Sequence, residues 1–462
     1  MKIVMCASEV VPFAKTGGLA DVTGALPLAL EEEGHDVIIV MPRYKAIQDS
    51  KFKIQRLKNN ISYSVTGKNI KVYFIENDNY FNRDALYGDK TGDYKDNLDR
   101  FSYYCKRALE LLKEINFKPD IMHVHDWQAC LIPVYLKNLY ILDPFYKKIK
   151  TLLTIHNIGY QGLFSKDEFP KLGLDWSLFN IEGLEFYDKI NILKGGMEFC
   201  DYINTVSQTY SKEIQTKEFG FGLEGVLNRR RNSVSGILNG IDYSIWDPQT
   251  DKFIAENFSA GNPKGKSADK EDLQKLCKLP LKKDVPLIGI VSRLAEQKGF
   301  DILAEAIDSI CKMNLQLVIL GTGDLKYHLI MEDMVKKYPK VVSLYLKFDD
   351  QLAHKIYAGS DIFLMPSKYE PCGLGQLISL RYGTIPLVFL TGGLADTVNK
   401  DNGFVFNRYS SDDLIKTIKG AVAAFENKTK WAALLKKAMK CDFSWEESAK
   451  KYLQLYDLAK SK

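Results

Sequence analysis

The strongest constraint on this chain is one rhythm written twice. In the first half the short runs KIVMCA, DVIIVMP, KVYFIEN, DIMHVHD, TLLTIHN and YINTVS are rich in Val and Ile and end in polar, Gly or Pro residues. Helix-length stretches such as Leu98–Ile115 and Lys189–Cys200 lie between several of them. Such runs read as strands, and strand–helix–strand succession makes a parallel sheet with both faces covered. The second half repeats the pattern with PLIGIVSRL, LQLVILGTG, VVSLYLKF, DIFLMPS and TIPLVFLTGG, with helices expected from about Lys298, Leu325, Gln351 and Gly373. The expected class is α/β, with two doubly wound domains.

Between the halves, GILNGIDYSIWDPQTD and NFSAGNPKGKSADK break the rhythm with Gly, Pro, Asn and Ser, a linker signature. The expected division is a first domain over 1–243, a hinge over 244–283, a second domain over 284–440 and a closing segment over 441–462. In that last segment Ser444, with Glu447 three residues on, is placed to open an amphipathic helix.

Composition narrows the partners. The 462 residues suit two or three domains, and 46% hydrophobic with 26% charged residues is an ordinary globular balance. A net charge of +5 gives a nucleic-acid partner little support, and Arg229–Arg231 read as a solvated loop. MKIVMCASEV reaches Glu9 too soon for a secretion signal, and no long apolar run predicts a membrane span. The eight cysteines are scattered without a C-x-x-C pair, which reads as reduced core thiols in a cytoplasmic protein.

In open α/β sheets a ligand sits beyond the carboxyl ends of the strands. The unusual residues fall there: Lys15–Asp21, His123–Gln128, His156–Gly162, Arg293–Lys298, Gly321–Asp324, Glu370–Gly375 and Thr391–Asp396. Two sheets carrying such loops on matching edges are expected to face each other across a cleft. The letters TGGLAD occur twice, at Thr16–Asp21 and Thr391–Asp396, far outside the ~20–50-residue periods of repeat folds.

Glycine pairs at such turns let a backbone approach a ligand and aim N–H groups at an anion. Gly17–Gly18, Gly321/Gly323 and Gly392–Gly393, beside Lys15, Arg293 and Lys298, point together to a phosphate site. The P-loop pattern is absent, and GTGDLK carries Lys326 where a dinucleotide fingerprint needs glycine, which disfavours hydride transfer on NAD. Arg293 and Lys298 can bracket a diphosphate, one as a planar fork and the other as a point charge. HVHD has metal-like spacing, but no second cluster completes a site, and the alternation of a strand end gives the same letters. No metal is expected. His156, at a strand end, is either a satisfied structural histidine or a site residue. Glu370, ahead of Pro371 and a helix start, either serves a sugar and the positive charge developing on its anomeric carbon or caps the helix.

KTGGLADV, HVHDWQ, TIHNIGYQG, NTVS, GILNGID, SRLAEQKG, PSKYEPCGLGQL, LRYGTIPLV and TGGLADTV, in that order and closing on FSWEESAKKYLQLY, resemble the motif series of bacterial glycogen synthases and plant starch synthases. The resemblance implies a GT-B fold, two Rossmann-like domains about a deep cleft, with the last helix returning to the first domain. It implies retaining transfer of glucose from ADP-glucose, a co-substrate, to the non-reducing end of glycogen or a maltooligosaccharide, without a metal or other cofactor. Lys15 matches the residue that contacts donor phosphate, Arg293 and Lys298 the diphosphate pair, Glu370 the carboxylate beside the glucosyl ring, and His156 the histidine near the donor sugar. Asp21, Asp126 and Asn239 fall in cleft motifs, and Gly17, Gly18, Gly321, Cys372, Gly373, Thr391 and Gly392 in substrate-binding loops. The Tyr87–Phe101 region matches the acceptor side. Phe389 and Leu390 stand where relatives often carry arginines, and Gly375 where they often carry Thr. A UDP-glucose enzyme, another acceptor, or a catalytically silent glucan binder are the competing readings, and no oligomeric state follows.

Overall fold

Four of the five residues of β1 (Lys2–Cys6) are buried, as a strand covered on both faces must be. It sits at the middle of a nine-stranded sheet in a computed structural model that describes residues 1–461. The other strands are β2 (Asp36–Pro42), β3 (Gln55–Arg56), β4 (Ile61–Thr66), β5 (Ile70–Ile75), β6 (Ile121–His125), β7 (Lys150–Ile155), β8 (Tyr202–Thr205) and β9 (Val234–Gly236). Their order is β9-β8-β7-β6-β1-β2-β5-β4-β3. Val4 pairs with Ile38 on one side and Met122 on the other, so strand order reverses between β1 and β6. At one edge β4 runs against the other strands, pairing antiparallel with both β5 and β3. This unit comprises Met1–Leu238 and the C-terminal segment from Trp445.

The helix Trp445–Ser461 is built into it by its tyrosines. Tyr456 Oη lies 2.8 Å from His123 Nδ1, and Asn204 Nδ2 donates to Tyr452 Oη at 3.2 Å. Lys462, the end of the expected closing segment, lies outside the described residues.

The second unit, Asn239–Ser444, holds β10 (Leu287–Val291), β11 (Gln316–Leu320), β12 (Val342–Tyr345), β13 (Ile362–Met365), β14 (Ile385–Phe389) and β15 (Phe404–Phe406). They form a parallel sheet in the order β12-β11-β10-β13-β14-β15. That is the doubly wound Rossmann order, with its switch point between β10 and β13. Ile288, Leu303, Leu317, Ile362, Leu387 and Leu414 belong to the core between sheet and helices.

Two expectations change. Lys189–Cys200 is not all helix: Lys189–Asn191 is a strand, and the helix Ile192–Phe199 starts where the Asn191 side chain accepts from Lys194 N at 2.9 Å. Residues 244–283, expected as a hinge, are folded into the second unit and contain the helix Gly265–Leu276. The polar letters misled because two of its three lysines, Lys266 and Lys270, point inward. Lys266 is buried, and its ammonium donates to Ala358 O at 2.8 Å, Tyr382 O at 3.0 Å and Thr384 Oγ1 at 2.7 Å. Those carbonyls end two helices, where partial negative charge gathers. Lys270 reaches Asp361 at 2.7 Å.

All eight cysteines are free and seven are buried. Among the described residues no helix is long and apolar enough to cross a membrane.

Candidate active site

In the first unit the chain leaves β1 through Ser8 and Glu9 and turns into the helix Gly18–Glu32 at the first TGGLAD. Glu9 is buried, and its carboxylate accepts from Thr16 N, from Gly17 N at 3.2 Å, from Thr16 Oγ1 at 2.6 Å and from Tyr87 Oη at 2.6 Å. The turn thus binds an anion, and the anion is the chain's own. Lys15 projects from it, half-exposed, with its ammonium 2.7 Å from Asp21 Oδ1.

At the end of β6, Asp126 adopts a left-handed backbone, φ +51°. Its Oδ1 accepts from His156 N at 2.7 Å. Burial outweighs those backbone N–H groups and pushes its carboxyl up to about 7. His156 Nε2 lies 3.0 Å from His125 Nδ1, while His123 sits between Tyr456 Oη and Thr154 Oγ1. Burial lowers His123 and His156 to about 3 and His125 likewise downward, so this imidazole group is neutral near pH 7. The HVHD letters therefore describe alternate residues of a strand, with the His123 and His125 rings 4.1 Å apart and hydrogen-bonded into the fold. Among the described residues no group of three or more His, Cys, Asp or Glu could hold a metal ion.

In the second unit the two strands at the switch point supply a charged pair. Lys298 follows β10 and Glu370 follows β13, with Nζ and Oε2 2.6 Å apart. Ser367 Oγ donates to the same oxygen at 3.0 Å. Gly299 makes the approach possible: its φ is +79°, and a Cβ there would lie 2.0 Å from Pro366 O. Glu370 is only 6% exposed, whereas Arg293 is exposed, with Nη2 3.4 Å from Gln297 Oε1. The helix Gly375–Arg381 has no side-chain cap, so the cap alternative for Glu370 gives way to an ion pair.

The second TGGLAD lies against this pair's backbone. Gly393 N donates to Glu370 O at 3.1 Å, and a Cβ on Gly392 (φ +44°) would stand 2.0 Å from that same carbonyl. Thr391 is buried at the start of this turn, and Gly373 turns at φ +74° beside Cys372. Burial pushes the Cys372 thiol up to about 12, so it is neutral, and the Asn239 backbone N–H bonds to it. Asn239 Oδ1 is buried and has no hydrogen-bond partner among the described residues.

The expectation that three glycine turns aim N–H groups at a ligand does not hold for four of those groups. Gly17 N is held by Glu9, Gly321 N by Tyr345 O at 3.0 Å, Gly323 N by His328 Nε2 at 2.9 Å and Gly393 N by Glu370 O. Gly321 is there for space, since a Cβ would lie 1.8 Å from Ser292 O. Gly375 likewise admits no threonine, with the Phe363 ring 2.8 Å from its Cβ position.

The structure thus groups Lys298, Glu370, Cys372, Gly373, Gly392 and Asn239 in one unit, and Lys15 with Asp21 and Asp126 with His156 in the other. Sequence reasoning missed Glu9 and Ser367, and weighed His125 only as part of a metal-like spacing. The only signal for Glu9 was an acid placed between a buried strand and a glycine turn.

Comparison with known proteins adds the following. The model described as "Starch synthase catalytic domain" matches residues 2–229, and that of "Glycosyl transferases group 1" matches residues 273–450. A glycogen synthase of Geotalea uraniireducens is 48% identical, over 99% of this chain and 99% of its own. One from Thermosipho melanesiensis is 48% identical over the full length of both. The catalytic domain of starch synthase IV from Arabidopsis thaliana, solved with ADP and acarbose, superposes with a TM-score of 0.92 at 34% identity, covering 100% of this chain and 99% of that one. Sucrose-phosphate synthase from Thermosynechococcus elongatus, at 17% identity and a TM-score of 0.63 over 99% of this chain and 98% of that one, shares the fold.

Proposed function

The chain belongs to the glycogen and starch synthase family of GT-B glycosyltransferases, and on that premise we propose that it is a cytoplasmic glycogen synthase. It transfers glucose from ADP-glucose, with retention of configuration, to the non-reducing end of an α-1,4-glucan and releases ADP. The observation that carries the reading is the Lys298–Glu370 pair at the switch point of a Rossmann-ordered sheet.

Breaking a glucosyl–phosphate bond leaves negative charge on ADP and positive character on the sugar. Arg293 and Lys298 meet the diphosphate, Lys15 a donor phosphate, and Glu370 the positive sugar. Charge stabilisation of this kind usually contributes more to an enzymatic rate than any other single effect. His156, neutral through burial, offers a hydrogen bond to the donor sugar. Asp21, Asp126, Asn239 and the glycine turns at Gly17–Gly18, Gly321, Gly373 and Thr391–Gly392 shape the surroundings of the substrate. No metal is required in this reading, because three basic side chains supply the positive charge. A glucan binder would have no use for a leaving-group clamp, which favours the enzyme.

The test is a donor panel assayed on glycogen and maltooligosaccharides, with and without EDTA. ADP-glucose should give the highest kcat/KM, and EDTA should change nothing. An equal or better kcat/KM with UDP-glucose would overturn the donor assignment, and magnesium-restored activity the metal-free one.

A further inference from the structure

We propose that Glu9 is a positioning residue for this reaction: its buried carboxylate ties the Lys15 turn to the 80–97 loop and so holds both in working geometry. The inference rests on the glycogen synthase reading for its substrates, and on hydrogen bonds alone for its structure.

The carboxylate has two oxygens, and each serves both segments or one of them in a fixed way. Oε2 takes the backbone N–H groups of Thr16 and Gly17; Oε1 takes the Thr16 hydroxyl and the Tyr87 hydroxyl at 2.6 Å each. Ser8 Oγ is 2.7 Å from the same Tyr87 oxygen. Glu9 is also fixed at its backbone, where Thr23 Oγ1 donates to its carbonyl at 2.5 Å. A buried carboxylate met by several donors is costly to disturb, since each donor loses its partner at once.

The far side of the link is equally determined. Arg100 is fully buried and donates to Tyr80 O at 2.7 Å, Leu86 O at 2.9 Å and Asn97 Oδ1 at 2.6 Å. Asn97 Nδ2 in turn holds Tyr87 O at 2.9 Å. The loop is therefore anchored through its backbone, and the Tyr87 hydroxyl is its connection to Glu9.

With Glu9 seated in the turn, the N–H groups of Thr16 and Gly17 are already used, so a phosphate there meets the Lys15 side chain and not those two N–H groups. Displacing the carboxylate should also disturb the turn and the loop together, which the resemblance assigns to donor and acceptor.

The amide of Glu9→Gln can keep this arrangement. Its oxygen accepts the two N–H groups while its NH₂ donates to the two hydroxyls, which can rotate to accept. Glu9→Ala cannot. Tyr87→Phe cuts only the link to the loop.

The experiment measures KM for ADP-glucose and for maltooligosaccharide, kcat, and amide hydrogen exchange in all three variants. Glu9→Ala should raise both KM values about tenfold or more, because small misplacements of binding groups are expensive in rate. It should also speed exchange at Thr16, Gly17 and through 86–97. Glu9→Gln should stay within about threefold of wild type on every readout, and Tyr87→Phe should raise the acceptor KM while sparing the donor KM. A folded Glu9→Ala protein with wild-type KM values and exchange overturns the proposal. So does a Glu9→Gln protein as impaired as Glu9→Ala, since that would make the charge itself the active feature. If Glu9→Ala does not fold, Glu9→Gln and Tyr87→Phe still decide the matter. A wild-type protein inactive on ADP-glucose would sink the glycogen synthase reading alone, and hydrogen exchange would still judge Glu9.

Discussion

In the first unit the letters TGGLAD wrap around a carboxylate, and in the second the same letters lie against a carbonyl. At Thr16–Asp21 the backbone N–H groups turn inward to Glu9, and the space beside Gly17 is open, with nothing within 4 Å of a Cβ. At Thr391–Asp396 the glycines are there because Cβ atoms would strike Glu370 O and Cys372 O, at 2.0 and 2.1 Å. The acids differ in the same sense. Glu9 and Asp126 are met by dipoles, mostly backbone N–H, whereas Glu370 is met by the Lys298 ammonium. An identical motif is thus a statement about turn shape, and the reason for each glycine has to be read from what surrounds it.

The largest effect should come from the crowded turn. In Gly392→Ala the side chain faces a left-handed backbone, costing about 1–2 kcal/mol, and a carbonyl that must move, with overpacking typically ~1–3 kcal/mol more. Because that carbonyl belongs to Glu370, both melting temperature and kcat should fall, kcat by roughly 100-fold. A variant with normal turnover would show that the Glu370 backbone has slack.

Next is the ion pair itself. Glu370→Gln keeps the size and the Ser367 contact but removes the charge from Lys298. If the carboxylate acts as the sugar gains positive charge, kcat should drop ~10²-fold with donor KM little changed. Near-normal kcat in a folded protein would reduce the pair to architecture.

Asp126 tests the other kind of acid. Its carboxyl is held up at about 7 by burial, so between the ordinary carboxylate range and pH 7 the folded protein binds a proton that the unfolded chain releases. Stability from this group is therefore present in acid and is lost as pH rises through about 7. Asp126→Asn tolerates the left-handed backbone and can still accept from His156 N. Plotted against pH from 4 to 8, the melting temperature of wild type should decline relative to Asp126→Asn. Parallel curves would mean that the N–H groups, not burial, set this carboxyl.

Much of this was legible in the letters, for physical reasons. The runs read as strands in the two main sheets were legible because parallel strands buried on both faces leave uninterrupted apolar runs, as in β1, β2 and β10. The edge strands β3, β9 and β15 were not, being two or three residues long. Residues 244–283 misread because Lys266 and Lys270 spend their charge on buried carbonyls and Asp361, which composition scores as surface. That the candidate residues lie in loops after strands was legible, while the pairings Lys298–Glu370 and Glu9–Tyr87 join segments 72 and 78 residues apart, and no local pattern encodes them.

The smallest expected effect is the most direct test of the comparison. Gly17 has φ −154° and ψ −169°, an extended conformation open to any residue, and its N–H bond to Glu9 survives a methyl group on the other side of the backbone. Gly17→Ala should therefore alter stability by no more than about 0.5–1 kcal/mol, with a gain as reasonable as a loss because alanine restricts the unfolded chain. Donor KM should stay within about twofold. This outcome, beside a crippled Gly392→Ala, would establish that the two turns carry their glycines for unrelated reasons. A donor KM raised tenfold by Gly17→Ala, with an unchanged melting temperature, would instead mean that substrate fills the open space. The first glycine would then also be a matter of close approach, made by a ligand where the second is made by the chain.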